Sequence, residues 1–233
     1  MSTLGLPDRM KACLFDLDGV LTETAKVHAA AWKEMFDAFL QARARERHEA
    51  FVAFDPVGEY DAYMDGKPRA DGTRSFLAAR GIELPEGGPD DPPSSATIAG
   101  LSNAKNEIVL RRIHADGVQA YTGSIAYVRA VRDAGLRRAV LSSSANCADG
   151  LTAKRDHLAG KPAPDMFLAA AHGLEVAATD AAVFEDALAG VVAGHAGDFG
   201  FVVGVDRTGQ ASELEAHDAD VVVNDLAKLL ESS

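Results

Sequence analysis

Cysteine is scarce in this sequence of 233 residues, which contains only Cys13 and Cys147. Two cysteines without metal-ligand spacing argue against a disulfide framework or a cysteine-rich metal site. Long apolar runs are also absent, because no stretch approaches the roughly 18 to 20 apolar residues of a membrane span. The segment 1–10 lacks the basic and apolar regions of a secretory signal. We therefore expect a cytoplasmic protein with reduced thiols and no membrane partner.

Basic residues are in the minority, with 23 Lys and Arg against 35 Asp and Glu and a formal net charge of −12. Binding to nucleic acid or to an anionic membrane would need clustered Lys and Arg, so neither partner is expected. A small anionic substrate remains compatible, because a few local cations suffice to capture a phosphate. The length allows one large domain, or a core with a smaller inserted domain.

Apolar runs of strand length alternate with helical segments from residue 124 onward. The runs show no polar alternation, which is typical of parallel strands covered on both faces and predicts a doubly wound α/β sheet. A similar run at 11–16 lies far before the next one, so the helical block between them reads as an insertion after the first strand. The predicted domains are an α/β core at 1–23 and 120–233 and a helical domain at 24–119. The other predicted strands are 138–142, 182–184, 200–205 and 221–223, and the predicted helices are 24–40, 73–80, 102–115, 124–134, 165–172, 187–195 and a last one at the end.

The first strand ends in two carboxylates, Asp16 and Asp18, which Gly19 follows directly. Side chains alternate along a strand, so both carboxylates leave the same face, and glycine permits an immediate turn. Two like charges this close are tolerable when a divalent cation or a shared proton neutralises them. The pattern favours a metal-assisted reaction with a carboxylate nucleophile and a second carboxyl as proton carrier. A solvated turn after an edge strand is the alternative.

Other strand ends carry polar side chains too, as expected where an open parallel sheet binds its ligand. Ser142–Ser144 follow one predicted strand, Glu185 and Asp186 end another, and Lys161 lies in a loop before a helix. The alternative for the acidic pair is a helix N-terminus, where acids interact favourably with the helix dipole. The alternative for Lys161 is a solvated surface charge.

These four motifs in this order resemble the haloacid dehalogenase-like superfamily of phosphotransferases, and over nearly the whole chain the sequence is most similar to its β-phosphoglucomutase group. The resemblance implies that Asp16 is the nucleophile that becomes an aspartyl phosphate and that Asp18 is the general acid and base. Glu185 and Asp186 would complete an octahedral oxygen site that suits Mg²⁺. The implied metal ligands are thus Asp16, Asp18, which binds through its backbone carbonyl, Glu185 and Asp186.

The resemblance also implies that Ser143 and Lys161 bind the transferring phosphoryl oxygens and complete the catalytic set with the two aspartates. Ser142 and Ser144 remain alternatives for the hydroxyl, and Ala145 and Asn146 would follow as further loop contacts. Ser144 and Asn146 are expected to bind the substrate.

The helical domain would be a cap that supplies the substrate contacts. Thr24 and His28 follow the nucleophile strand, and the resemblance couples His28 to Lys105 in positioning acid/base chemistry as the cap closes. Arg69 would bind the substrate's non-transferring phosphate, because its planar fork binds phosphate in a bidentate way. Trp32, in contrast, is assigned to core packing.

The resemblance thus implies a Mg²⁺-dependent mutase that interconverts β-glucose 1-phosphate and glucose 6-phosphate through a bisphosphate intermediate, and we expect it to be monomeric. The first alternative is a phosphatase on sugar phosphates, in which water accepts the phosphoryl group. Arg69 and Lys105 facing the cleft would favour the mutase, and their pointing outward would favour the phosphatase. The second alternative, a non-catalytic binding domain, would require substitution of Asp16 or Lys161, and both are present.

One segment is shorter than the family pattern, because only 17 residues separate Ser143 from Lys161. The family has a helix, a loop and a strand there, and a parallel crossover needs a dozen residues or more. We expect that residues are missing from the sequence near Asp149, with a break in the chain at 148–150, rather than a true deletion.

Overall fold

The computed structural model describes residues 3–142 and 158–231. In chain order its elements are β1 (Ala12–Asp16), α1 (Thr24–Arg47), α2 (Gly58–Tyr63), α3 (Arg69–Ala79), α4 (Ile98–Asp116), α5 (Thr122–Asp133), β2 (Arg137–Leu141), α6 (Asp165–Gly173), a 3-10 turn (Ala178–Asp180), β3 (Ala181–Glu185), α7 (Leu188–Ala196), β4 (Phe201–Val205), α8 (Ala211–Ala216), β5 (Val221–Val223) and α9 (Lys228–Glu231). Among these helices, none combines the length and the apolar character that crossing a membrane requires.

The chain divides into two compact units. The first unit comprises Met1–Glu23, Gly66–Pro68 and Gln119–Ser233, and the second comprises Thr24–Asp65 and Arg69–Val118. The short segment Gly66–Pro68 therefore belongs to the first unit, although residues on both sides of it belong to the second.

The first unit contains a parallel sheet with the strand order β2-β1-β3-β4-β5. In β1, Cys13 and Phe15 pack into one apolar cluster, whereas Ala12 and Leu14 pack into another. Side chains of alternate residues leave opposite faces of a strand, so both faces of the sheet are covered. This explains the apolar runs without alternation and confirms the predicted α/β fold.

The strand order reverses at β1, which lies between β2 and β3. Open α/β sheets bind ligands beyond the carboxyl ends of the strands at such a switch point. Phe15 of β1 is in register with Phe184 of β3, and their rings stack with centroids 4.5 Å apart. The next residue of each strand, Asp16 and Glu185, therefore ends its strand at the same edge of the sheet.

The second unit is helical, consisting of α1 to α4, and has an aromatic core. Trp32 and Phe36 from α1 pack with Phe54 and Phe76, and the Phe36 ring lies 4.1 Å from the Phe76 ring between centroids. Trp32 is buried in this core, which confirms its assignment to packing.

Several element boundaries differ from the sequence prediction. The charged run at 43–49, which its composition indicates to be a solvated helix face, does continue helix α1 as far as Arg47. Helix α3 begins at Arg69 rather than at 73, and α4 begins at Ile98 rather than at 102 because the Thr97 side chain accepts a hydrogen bond from Gly100 N at 2.9 Å. The short helices α2 and α8 were not predicted. The expected break at 148–150 lies outside the described residues.

Strand β2 departs from the prediction that the strands are covered on both faces. Arg137, Arg138 and Val140 are exposed in the described part of the chain, and only Leu141 of this strand is fully buried. Among the strands of the described residues, β2 is the outermost on its side of the sheet and pairs with β1 alone.

Candidate active site

Three carboxylates meet where β1 and β3 end. Asp16 is the last residue of β1, Glu185 is the last residue of β3, and Asp186 follows it directly. One oxygen atom from each carboxylate lies within 4.8 Å of the other two, and all three residues are buried. The strand register thus brings together residues that are far apart in sequence.

Lys161 neutralises part of this charge from the loop that precedes α6. Its Nζ lies 2.5 Å from Asp16 Oδ1 and forms a second ion pair with Glu185. The same Nζ lies 5.4 Å from the centroid of the Phe167 ring, and the residue is only 3% exposed. Lys161 is therefore a buried ammonium held between two carboxylates, and the alternative of a solvated surface charge is wrong.

Burial dominates the electrostatics of this cluster. Burial raises the pKa of Asp16 to about 8, an effect that Lys161 opposes and that Glu185 and Asp18 reinforce. Burial alone would lower the pKa of Lys161, but Asp16 and Glu185 outweigh it and raise that pKa. The lysine therefore stays charged, while burial resists ionisation of Asp16.

The donor set fits a divalent cation. In the described residues of the cluster, three buried carboxylates stand against the single ammonium of Lys161. A cation would remove this imbalance, and a site made only of oxygen donors suits a hard ion. The Asp18 side chain is not part of the three-carboxylate group.

Two glycines allow the carboxylates to lie so close to the backbone. Gly19 has a φ of +83°, and a Cβ placed there would lie 1.6 Å from Asp186 Oδ2. A Cβ on Gly190, in the first turn of α7, would lie 2.0 Å from the Glu185 carboxyl carbon. Any other residue at either position would displace an acidic side chain of the cluster.

A tight turn follows Asp16 and holds Asp18. Leu17 O accepts hydrogen bonds from the backbone amides of Leu21 and Thr22, each at 3.0 Å, and Gly19 N donates to Thr22 O at 2.8 Å. Asp18 also forms an isolated bridge with Thr22. The turn that the sequence predicted from Gly19 is thus closed by its own backbone bonds.

The second unit contains four of the six residues expected to contact substrate. His28 Nδ1 and Lys105 Nζ are 2.9 Å apart, so the structure brings these two residues together, and Lys105 also lies 5.0 Å from the Trp32 ring centroid. Arg69 begins α3 and donates from Nη1 to Ser102 O at 3.2 Å. Burial lowers the pKa of this arginine.

The remaining expected contacts are of two kinds. Thr24 is the buried first residue of α1. Ser143, Ser144 and Asn146 lie outside the described residues, whereas Ser142 is fully buried just after β2.

Sequence reasoning missed the segment that follows β4, residues 206–210. Arg207 from this segment donates to Gly19 O at 2.7 Å, and Gln210 donates to Asp186 O at 3.0 Å. The signal was available, because the rule that ligands lie beyond strand ends applies to β4 as well. Neither residue belongs to a recognised motif, so neither was singled out.

Comparison with known proteins agrees with this geometry. The family model described as "Hydrolase: haloacid dehalogenase-like hydrolase" matches residues 10–198, which is most of the chain. The chain therefore belongs to the haloacid dehalogenase-like hydrolase family, as its motifs indicated.

Particular relatives are similar over nearly the whole chain. A β-phosphoglucomutase from Mycobacterium bovis is 53% identical over 246 aligned positions, which cover 97% of this chain and 94% of the relative. The alignment has more positions than this chain has residues, so this chain lacks residues that the relative has. A solved β-phosphoglucomutase from Clostridium difficile shares the fold, with a TM-score of 0.70 and 22% identity over 94% of this chain and 93% of that one. A hydrolase from Pseudomonas syringae is similar in the same way, with a TM-score of 0.73 and 22% identity over 95% of this chain and 97% of that one.

Proposed function

We propose that this protein is a β-phosphoglucomutase that interconverts β-D-glucose 1-phosphate and glucose 6-phosphate. The observation that carries phosphoryl transfer is the buried group of Asp16, Glu185 and Asp186 around Lys161 at one edge of the sheet. The near-full-length identity of 53% to a β-phosphoglucomutase supports a mutase within this family.

The reaction starts when the Asp16 carboxylate attacks the phosphorus of a glucose bisphosphate. The new oxygen–phosphorus bond forms as the bond to the sugar oxygen breaks, and Asp18 gives a proton to that leaving oxygen. When the 1-phosphate is transferred, glucose 6-phosphate leaves and β-glucose 1-phosphate binds, and its 6-hydroxyl attacks the aspartyl phosphate while Asp18 takes the hydroxyl proton. The bisphosphate is thereby regenerated and reorients before it gives its 1-phosphate to Asp16, so the net reaction is an isomerisation.

The surrounding charges serve this transfer. Lys161, 2.5 Å from Asp16 Oδ1, lies where it would meet the transferring phosphoryl oxygens and offset their growing charge. Ser143, which the family motif implies, would add a hydroxyl to the same oxygens. Mg²⁺ held by Asp16, Glu185, Asp186 and the Asp18 carbonyl would supply the positive charge that lets the nucleophile stay ionised beside its neighbours.

The second unit acts as the cap in this proposal. Arg69 binds the phosphate that is not transferred, the His28–Lys105 pair, 2.9 Å apart, positions the acid/base chemistry, and Thr24 is a further contact to substrate. A second phosphate site of this kind distinguishes a mutase from a phosphatase. In a mutase the bisphosphate must reorient in the site, and the phosphoryl group must not be transferred to water.

The test is to incubate the protein with β-glucose 1-phosphate, Mg²⁺ and a trace of glucose 1,6-bisphosphate, and to follow glucose 6-phosphate against free phosphate. We expect glucose 6-phosphate as the dominant product. Free phosphate as the dominant product would instead assign the protein as a phosphatase.

Variants of α3 sharpen this test. We expect Arg69→Gln to lower the yield of glucose 6-phosphate relative to free phosphate by at least about tenfold, because a lost bidentate charge contact costs more than 1.4 kcal/mol. Arg74→Gln is the matched control, since Arg74 lies on the same helix and, within residues 3–142 and 158–231, forms ion pairs with the exposed acids Asp71 and Glu86 alone. An equal ratio of glucose 6-phosphate to free phosphate in both variants would show that Arg69 does not bind the phosphate that is not transferred.

A further inference from the structure

The segment Asp206–Gln210, here called the β4 loop, connects β4 to α8 and reaches the turn that follows the nucleophile strand. Arg207 donates from Nε to Gly19 O at 2.7 Å and from Nη2 to Val20 O at 3.3 Å. Its Nη1 donates to Asn224 O, after β5, at 2.7 Å. One side chain thus ties together the backbones that follow three different strands of the sheet.

The guanidinium of Arg207 is held in place by packing as well as by these bonds. Its central carbon lies 3.6 Å from the centroid of the Tyr121 ring, a stacking contact for a planar cation. Ser124 Oγ also donates to Val20 O at 2.6 Å, so that carbonyl has a second donor. Because Arg207 is fixed at all of these points, a displacement of the β4 loop would also displace the turn at Gly19 and Val20.

The β4 loop also reaches the end of β3. Gln210 donates from Nε2 to the backbone carbonyl of Asp186 at 3.0 Å. The loop itself is held by Asp206, whose Oδ1 accepts from the backbone amides of Thr208, Gly209 and Gln210 at 3.2, 2.7 and 2.9 Å. These three hydrogen bonds fix the backbone conformation of the β4 loop.

The two loops that it supports meet each other within the acidic cluster. A Cβ on Gly19 would lie 1.6 Å from Asp186 Oδ2, so the Gly19 backbone directly limits where that carboxylate can lie. A shift of the turn would therefore move Asp186 or collide with it.

We propose that Arg207 and Gln210 are positioning residues for the cation site, and that the β4 loop sets the spacing between the Asp18–Val20 turn and Asp186. This inference rests on the proposed function in one respect, that Asp186 is a ligand of the cation. Residues that orient metal ligands from outside typically change metal affinity or activity by about 10- to 100-fold when they are replaced.

The experiment measures Mg²⁺ binding directly, by calorimetric titration of the full chain with MgCl₂ in the absence of sugar phosphate. We expect Arg207→Gln to weaken binding by about 10- to 100-fold and Arg207→Lys, which keeps the charge and one donor direction, to lie between it and the wild type. Arg9→Gln is the matched control, because Arg9 also donates to a backbone carbonyl, that of Gly200, at 2.7 Å, but near the other end of β4. We expect the control to bind Mg²⁺ within twofold of the wild type.

A second variant and an activity measurement separate positioning from loss of fold. Gln210→Ala removes one hydrogen bond and leaves Arg207 in place, so we expect Mg²⁺ binding to be about 3- to 10-fold weaker. This variant replaces Arg207→Gln in the test if Arg207→Gln does not fold. We also expect raised Mg²⁺ to restore kcat in the folded variants, which a merely unstable protein would not show. Binding within twofold of the control, in Arg207→Gln or in its replacement, overturns the proposal.

The outcomes for the two proposals are distinct. A wild type that binds Mg²⁺ and releases mainly free phosphate overturns the mutase assignment and leaves the positioning role intact. A wild type with mutase activity whose β4 loop variants bind Mg²⁺ like the control overturns the positioning role alone. A wild type that does not bind Mg²⁺ overturns both.

Discussion

Replacing Asp16 by asparagine should stabilise the metal-free protein while abolishing its chemistry. Burial raises the pKa of this carboxyl from an ordinary 3.8 to about 8, so the folded protein holds the proton more tightly than the unfolded chain does. Stability therefore falls as the pH rises from about 4 to about 8, and it stays low above that range. Asparagine imitates the protonated acid and avoids this loss.

The magnitude follows from the same pKa values. At pH 7 the unfolded carboxyl is ionised and the folded one, with a pKa of about 8, is still mostly protonated, so the cost covers the roughly three pH units between 3.8 and 7 and has an upper limit of about 4 kcal/mol, at 1.36 kcal/mol for each unit. Asparagine weakens the bond to Lys161, and local relaxation reduces the cost of a buried charge. We therefore expect Asp16→Asn to raise the free energy of unfolding by about 1 to 3 kcal/mol.

The assay is urea denaturation in EDTA at pH 7 and again at pH 5. The increase in the free energy of unfolding should be smaller at pH 5. At that pH the wild-type carboxyl is protonated in the folded state, and its ionisation in the unfolded chain contributes little free energy. Asp180→Asn is the control, because Asp180 pairs with the exposed Lys11 and should lose at most about 1 kcal/mol. An Asp16→Asn protein that is less stable than the wild type in EDTA at pH 7 would refute the reasoning.

Three further predictions concern other parts of the molecule. Phe36→Ala removes a fully buried ring from the core of the second unit, so it should lower the free energy of unfolding by about 3 to 5 kcal/mol in urea denaturation. Hydrogen bonds from Arg80 lower the pKa of Glu59. The pair therefore stabilises the folded state at any pH above the ordinary pKa of glutamate, and this stabilisation is lost as the pH falls through the lowered pKa of Glu59. Glu59→Gln should thus cost about 1 kcal/mol at pH 7, and a cost that does not shrink in denaturation at acidic pH would contradict this account. Gly19→Ala places a Cβ 1.6 Å from Asp186 Oδ2 and strains a left-handed residue, so Mg²⁺ binding by calorimetry should weaken at least about tenfold, whereas unchanged binding would show that the turn can yield.

Local patterns in the sequence were sufficient for the parts of the site that lie at strand ends. An apolar run that stops at Asp16, and another that stops at Glu185, identify both the strand and the side chain at its end. Helix boundaries were less accurate, because caps such as Thr97 at α4 depend on single side-chain bonds. The start of α3 at Arg69 was hidden by a polar stretch that is typical of turns.

The sequence by itself determined the α/β fold and the strand-end carboxylates Asp16 and Glu185, because hydrophobic periodicity and strand-end chemistry act over a few neighbouring residues, whereas Lys161 was identified from its family motif. Only the tertiary structure decided that Lys161 contacts both Asp16 and Glu185, and that Arg207 lies against Gly19. Arg207 and Gly19 are 188 residues apart in the chain, and no local pattern encodes their contact. The order of the strands in the sheet brings them together, and that order is a property of the whole packed core.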